Sequence, residues 1–196
     1  MLLLALTVSL AVPTAHAVCL DSVRYGSVYY GGVRLRRPVR LGGSVRGFDP
    51  GCNDVAGEPP EPDTPTRLIR IRGIDPRFAV ARPASNRYVY VAAGFLPAVP
   101  AFPLHDAIYG RSDLPDACGR MPRLDVAIVI RGRLLWPPTP YVPLDLRTAL
   151  GERFVEVDAR TQLGFPATKR IGVGRRLRVV AGRCGRKLVA ARIDLR

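Results

Sequence analysis

Short runs of alternating apolar and polar residues, each cut off by glycine or proline, make up most of this chain. Val23, Tyr25, Ser27 and Tyr29 share one parity, and a period of two places them on one face of a strand. That strand is expected to reach Tyr30 and to turn at Gly31-Gly32 into Val33–Arg36, which stops before Pro38 because proline cannot donate to a ladder. Val39–Val45 reads as a further strand, with Gly42-Gly43 as a bulge or bend. Arg67–Arg72 alternates with Ile69 and Ile71 inward and Arg70 and Arg72 outward, and Phe78–Ala81 and Tyr88–Val91 follow as strands.

In the second half, Val126–Ile130 is apolar throughout, as expected of a strand covered on both faces. Arg131-Gly132 is expected to turn it into Leu134-Leu135-Trp136. Phe154–Asp158, Arg176–Val180 and Leu188–Ile193 complete the strands, with a turn at Gly182–Gly185. One stretch reads as helix: Asp145 can cap one or two turns through Leu150, ended by Gly151. The pattern predicts an all-β protein with little helix, built as two small disulfide-stapled barrel-like or sandwich-like domains, or else as one larger β-sandwich.

Segments without periodicity divide the chain. Val55–Thr66 carries acids and prolines and is expected as a mobile surface loop; its prolines interrupt any calcium-ligand spacing. Phe95–Pro103 is apolar yet holds three prolines, so it suits a packed linker better than a core strand. A boundary near residue 110 gives an N-terminal β-domain, 18–110, and a C-terminal β-domain, 111–196. Pro137–Pro143 is a second proline-rich loop. The two halves share a layout of strand, glycines, strand, cysteine turn and a strand ending in Ile-Asp, which suggests duplication.

The chain opens with an uncharged apolar run, Leu2–Val12, followed by Ala15-His16-Ala17. A short apolar core before a small-x-small site is the secretory pattern, so residues 1–17 are expected to be a signal peptide, although the usual basic start is missing. The run is far shorter than the roughly 20 residues a membrane-crossing helix needs, and no later segment reaches that length, so no transmembrane segment is expected. Secretion is the expected localisation, and a lipoprotein anchored at Cys19 is the alternative. Cys19, Cys52, Cys118 and Cys184 all follow the cut, and an even count in an exported chain reads as disulfides with three pairings open.

From Cys19, the order Val23-x-Tyr25, Tyr30-x-Gly32, Gly42-Gly43, Cys52-Asn53-Asp54, an acidic loop, Ile69-x-Ile71-x-Gly73-Ile74-Asp75-Pro76 and Ala79-Val80 is ordered and spaced. It resembles a family of small secreted or lipid-anchored actinobacterial proteins of unknown function, over about Cys19 to Gly94. The resemblance implies an exported β-domain with a Cys19–Cys52 disulfide and carries no activity; Phe95–Arg196 lies outside it. A duplicated second half would pair Cys118 with Cys184.

Charge changes the picture only by its position. The formal net charge is +14, and arginine supplies 28 of the 30 basic residues, a skew that a GC-rich genome produces unaided. Residues 18–110 carry 12 basic and 8 acidic side chains, whereas 111–196 carry 18 and 8. The stretch Lys169–Arg196 concentrates the excess and supplies the candidate anion-binding residues: Lys169, Arg170, Arg175, Arg176, Arg178, Arg183, Arg186 and Lys187. On a hairpin Arg176 and Arg178 would share a face, and Arg183, Arg186 and Lys187 would cluster at the tip. No aromatic ladder interleaves these arginines, which disfavours single-stranded nucleic acid and favours an anionic cell-wall polymer or a protein partner.

No catalytic residue, metal site or cofactor is expected. His105-Asp106 with a serine such as Ser22, Ser27, Ser44, Ser85 or Ser112 could serve a hydrolase, but there is no Gly-x-Ser-x-Gly elbow, and a surface histidine beside a loop aspartate is the simpler reading. Glu156 and Asp158 are read as an exposed strand face, not as paired glycosidase carboxylates. The sequence therefore points to a non-enzymatic extracellular or cell-envelope binding module. A protease inhibitor acting through Pro137–Pro143 or Glu58–Pro65 is the alternative, and a hydrolase using His105 a weaker one.

Overall fold

The computed structural model describes residues 21–51, 61–83, 85–110, 127–139 and 142–196. The chain is all-β with little helix, as its pattern predicts. Six strands, β1 (Ser22–Tyr25), β2 (Val28–Arg34), β3 (Leu41–Asp49), β4 (Thr64–Ile71), β5 (Ala79–Ala81) and β6 (Tyr88–Ala92), close a barrel in the order β1-β2-β6-β5-β4-β3. A short helix, α1 (His105–Tyr109), follows. The second half forms a six-stranded sheet from β7 (Ile128–Leu134), β8 (Leu144–Thr148), β9 (Gly151–Val155), β10 (Gln162–Leu163), β11 (Arg176–Cys184) and β12 (Lys187–Leu195), in the order β10-β12-β11-β7-β8-β9.

The barrel closes at its weakest seam, where β1 meets β3 through the pair Arg24–Phe48. Arg24 sews that seam with its whole side chain. Its guanidinium lies 4.5 Å from the Phe48 ring centroid, and its Nε donates to Asp63 Oδ2 at 2.6 Å. The interior is filled by side chains, as a barrel this small requires. Val23, Leu68 and Val80, which share one face of the barrel wall by register, are fully buried.

Two glycine assignments differ from the sequence pattern. The turn falls at Gly26, whose φ of 60° suits glycine, and β2 runs straight through Gly31-Gly32. Gly32 is needed inside that strand because a Cβ there would overlap the Tyr88 hydroxyl and the Asp21 carboxylate. Those two groups are hydrogen-bonded to each other, and Tyr90 Oη donates to the same carboxylate at 2.9 Å. The bulge expected at Gly42-Gly43 is present as a register shift between Leu41 and Ser44. Thr64–Thr66, expected in the loop, belongs to β4; Pro65 is tolerated because β5 pairs with β4 only from Ile69 onward, leaving the proline without a neighbour on that side. Residues 52–60 of that loop lie outside the described residues.

The apolar segment after β6 is a wedge. Successive i to i+3 bonds, Leu96 to Val99, Val99 to Phe102 and Phe102 to His105, coil it tightly. Phe95, Ala98 and Phe102 thereby face the barrel core, while Leu96 and Val99 face the core of the second sheet. Phe78 meets Phe95 and Phe102 edge-on at 5.0 and 6.1 Å. This cover explains why β5 and β6 are buried on both faces. Gly94 ties the halves through backbone bonds: its N–H donates to Pro138 O at 2.8 Å, and Ile171 N–H donates to Gly94 O at 2.7 Å.

The second sheet curls toward closure. Beyond β9, Glu156 forms a parallel bridge to Val189 of β12, and β10 pairs in parallel with the remainder of that edge, so both halves of the β12 edge are covered. Two expectations fail here. Asp145–Leu150 is not helical: Leu144 and Leu146 are buried on alternate positions of β8, and Thr148 Oγ1 donates to Gly151 O at 2.7 Å in a tight turn to β9. Arg131-Gly132 is no turn either, because β7 continues through it. A Cβ on Gly132 would lie 2.9 Å from Arg147 O, so the glycine allows β8 to approach, not the chain to reverse.

The two halves share part of their strand order: β3-β4 and β11-β12 are both long antiparallel pairs with a register shift, and each lies beside the first strand of its half, β1 next to β3 and β7 next to β11. The remaining strands differ, β5 and β6 following that pair in the chain and β9 and β10 preceding it. Cys184 ends β11, while Cys19, Cys52 and Cys118 lie outside the described residues. Among the described residues no helix is long and apolar enough to cross a membrane.

Candidate anion-binding site

The second sheet parts between β7 and β8. β8 pairs with β7 only at Arg133–Arg147 and Leu134–Leu146, whereas β7 extends back to Ile128 along β11. Between Ile128–Arg131 and the β8–β9 turn lies a cleft of about 500 Å³, closed at its far end by the β11–β12 turn. Its floor is apolar, from Ile128, Ile130 and Leu188. Five cations line it: Arg131, Arg153, Arg183, Arg186 and Lys187; no carboxylate does among the described lining residues.

Strand parity explains how cations gather at this end. Arg183 has the same parity as Leu177, Val179 and Ala181, which are buried, and Arg153 that of buried Val155. Both strands outrun the packed core, so their last inward-facing positions project over its mouth. Gly185, with φ 58°, makes the β11–β12 turn that places Arg186 and Lys187 beside them.

Outward parity builds a second feature on the same sheet. Arg176 of β11 stands opposite Arg133 of β7, which stands opposite Arg147 of β8. One step along, Arg178 stands opposite Arg131. Like charges directly opposite each other destabilise a sheet. Each repulsion is about 1 kcal/mol at 4 Å in water and larger where protein excludes solvent.

Few acids offset these charges. Asp194 pairs with Arg178 at 3.2 Å and Arg192 at 2.8 Å, Glu152 with Arg147 at 3.4 Å, and Glu156 with Lys187 at 3.4 Å. Arg131, Arg133, Arg153, Arg176, Arg183 and Arg186 have no carboxylate partner among the described residues. Of these, Arg131, Arg153, Arg183 and Arg186 line the cleft, so an anion there would meet positive charge that no described carboxylate neutralises.

The eight residues singled out in the sequence separate into three groups. Arg183, Arg186 and Lys187 meet in the cleft, and Arg176 and Arg178 share the outer face. Lys169, Arg170 and Arg175 line neither: Lys169 N–H closes a turn on Pro166 O, Arg170 Nε donates to Ala93 O at 2.8 Å between the halves, and Arg175 O accepts from Leu134 N–H. Arg131, Arg133, Arg147 and Arg153 were missed. Reading Arg131-Gly132 as a turn hid the alternation Arg131-x-Arg133, and reading Asp145–Leu150 as helix hid Arg147.

His105 makes no hydrogen bond to a described serine, and Ser112 lies outside the described residues. His105 is not a surface histidine: it is 2 % exposed within α1, and its Nε2 is buried without a hydrogen-bond partner. Its Nδ1 lies 3.2 Å from Asp106 Oδ1, and it lines neither this cleft nor the smaller one beside it. Asp158 is buried and accepts Arg160 N–H in a turn, so it does not share an exposed face with Glu156. Pro138, in the loop expected to suit an inhibitor, is buried and anchored to Gly94. No cluster of metal-ligating side chains occurs among the described residues.

The chain matches no family model, no curated protein and no solved structure. The site therefore stands on its own geometry.

Proposed function

We propose that this protein is an exported, non-enzymatic binding module that captures anionic ligands of the cell envelope in the cleft between β7 and the β8–β9 turn. The observation that carries this reading is the convergence of Arg131, Arg153, Arg183, Arg186 and Lys187 on one cleft without a carboxylate among its described lining. Guanidinium groups suit this role because they stay charged and present paired donors to phosphate or carboxylate oxygens. Export is supported by the secretory pattern of residues 1–17 and by the even cysteine count. On this reading the barrel and the second sheet are two domains, with Phe95–Pro103 packed between them, and the charge asymmetry assigns binding to the second.

Tripolyphosphate is a suitable probe, with binding followed by calorimetry across a salt series. Wild type should bind, with affinity falling steadily as salt rises, because the interaction is between charges in partly solvated surroundings. Arg153→Ser with Arg183→Ser and Arg186→Ser should abolish most of that binding. Arg34→Ser with Arg70→Ser, two exposed barrel positions, should leave it unchanged. Equal binding by the cleft variant and wild type would refute the site.

A further inference from the structure

The cleft does not end at its own rim, and we infer that its ligand is a linear phosphate polymer other than a nucleic acid, led out of the cleft along the arginine ladder on the outer face. This rests on the anion-binding reading of the cleft. The link is Arg131, which lines the cleft and also belongs to the outward rows of the sheet. From it the cations continue to Arg133, two residues along β7, and then sideways to Arg176 on β11 and Arg147 on β8.

Sheet geometry sets the spacing of that track. Neighbouring strands lie about 4.8 Å apart and same-face residues on one strand about 6.6 to 6.8 Å apart, so the cations recur at intervals a flexible phosphodiester chain can match. The borders are acidic. Asp194 engages Arg178 and Arg192 on the β12 side, while Glu152 and Glu156 stand beside Arg147 and Lys187 on the β9 side. Arg153, Arg183, Arg186, Arg131, Arg133 and Arg176, none with a carboxylate partner among the described residues, form the path between those borders. Arg133 and Arg176 do not line the cleft, so an anion confined to it does not engage them, whereas a chain leaving it along β7 does. The cleft lining contains no aromatic ring among its described residues, so stacking, the sequence-tolerant part of single-strand nucleic-acid recognition, has no platform there.

The test compares tripolyphosphate, long-chain polyphosphate, poly(glycerol phosphate) and oligothymidylate on the full chain, with Arg133→Ser/Arg176→Ser as the variant. These side chains are exposed and stand opposite one another, so their loss should not unfold the sheet; circular dichroism confirms it. The long phosphate polymers should bind wild type more tightly than tripolyphosphate. The variant should lose about tenfold of polymer affinity and lower the slope of log affinity against log salt by about 2, one per phosphate contact, while tripolyphosphate binding is unchanged. Which of the two long polymers binds better distinguishes a wall polymer from inorganic polyphosphate. Unchanged polymer affinity in the variant would overturn the ladder while leaving the cleft reading intact, whereas no binding of any phosphate by wild type would overturn the cleft reading itself. Oligothymidylate bound as tightly as the polymers through the same arginines would overturn the assignment of ligand class.

Discussion

Replacing Gly94 by alanine should uncouple the two halves of the molecule. The residue sits at φ 97°, a conformation that costs an L-residue about 1 to 2 kcal/mol. The added Cβ would stand 2.7 Å from Arg170 Cγ and 2.8 Å from Ile171 O, and the second of these is backbone, so the 170–171 segment must retreat. That retreat strains three bonds at once: Gly94 N–H to Pro138 O, Ile171 N–H to Gly94 O, and Arg170 Nε to Ala93 O. Each is worth about 0.5 to 1.5 kcal/mol. With partial relaxation the total comes to about 3 to 5 kcal/mol, a large share of the 5 to 15 kcal/mol typical of a folded domain. Urea unfolding followed by Trp136 fluorescence and by far-ultraviolet circular dichroism provides the assay. The single tryptophan reports the second half, and the circular dichroism reports both. Gly94→Ala should lower the midpoint and separate the two signals, which should coincide in wild type. Gly172→Ala is the control, because no atom lies within 4 Å of its Cβ position and its φ is not positive. If Gly94→Ala unfolds at the same midpoint as Gly172→Ala, the coupling argument is wrong.

Two carboxylates should give opposite pH signatures. Burial pushes the Asp145 carboxyl above its ordinary value, Glu152 adds to the shift and Arg147 opposes it, and Oδ1 is buried without a hydrogen-bond partner. Its favourable contribution is therefore complete below the unfolded-state value and is lost as pH rises through the folded one, so Asp145→Asn should stabilise near neutrality and lose that advantage in acid. Equal gains at both pH values in denaturant melts would contradict this. Asp63 goes the other way: the Gly51 N–H, and then the Arg24 guanidinium, hold its carboxyl below the usual range. Its stabilisation is present above the unfolded-state value and is lost as pH falls through the folded one, so the cost of Asp63→Asn should be greatest near neutrality and vanish in strong acid. A cost independent of pH would show that the barrel seam does not depend on this charge.

Strand parity was legible in the sequence because it is local. The alternation around Ile69 and Ile71, the shared face of Arg176 and Arg178, and the bulge at Gly42-Gly43 all follow from neighbours within one segment. Leu68 shows where parity ends: it is off that pattern yet fully buried, because Gly47 across the strand pair leaves room for its side chain. Glycine was the least legible residue. Gly31-Gly32 and Gly132 sit inside strands to admit a partner, while Gly26 and Gly151 make turns, and only the atoms standing over each position tell these roles apart.

What the sequence determined by itself is the all-β class, the surplus of cations in the second half and the packing of the proline-broken segment 95–103 through its apolar side chains, because composition, period and hydrophobicity are properties of each stretch alone. What the tertiary structure decided is the closure of the barrel, the parting of β7 from β8, and the meeting of Arg131 and Arg153 with Arg183 and Arg186 in one cleft. Parity tells which face a side chain takes but not which strand lies beside it. Strand neighbours far apart in sequence are chosen by the whole packed sheet, so a site built across four of them appears only when the sheet is assembled.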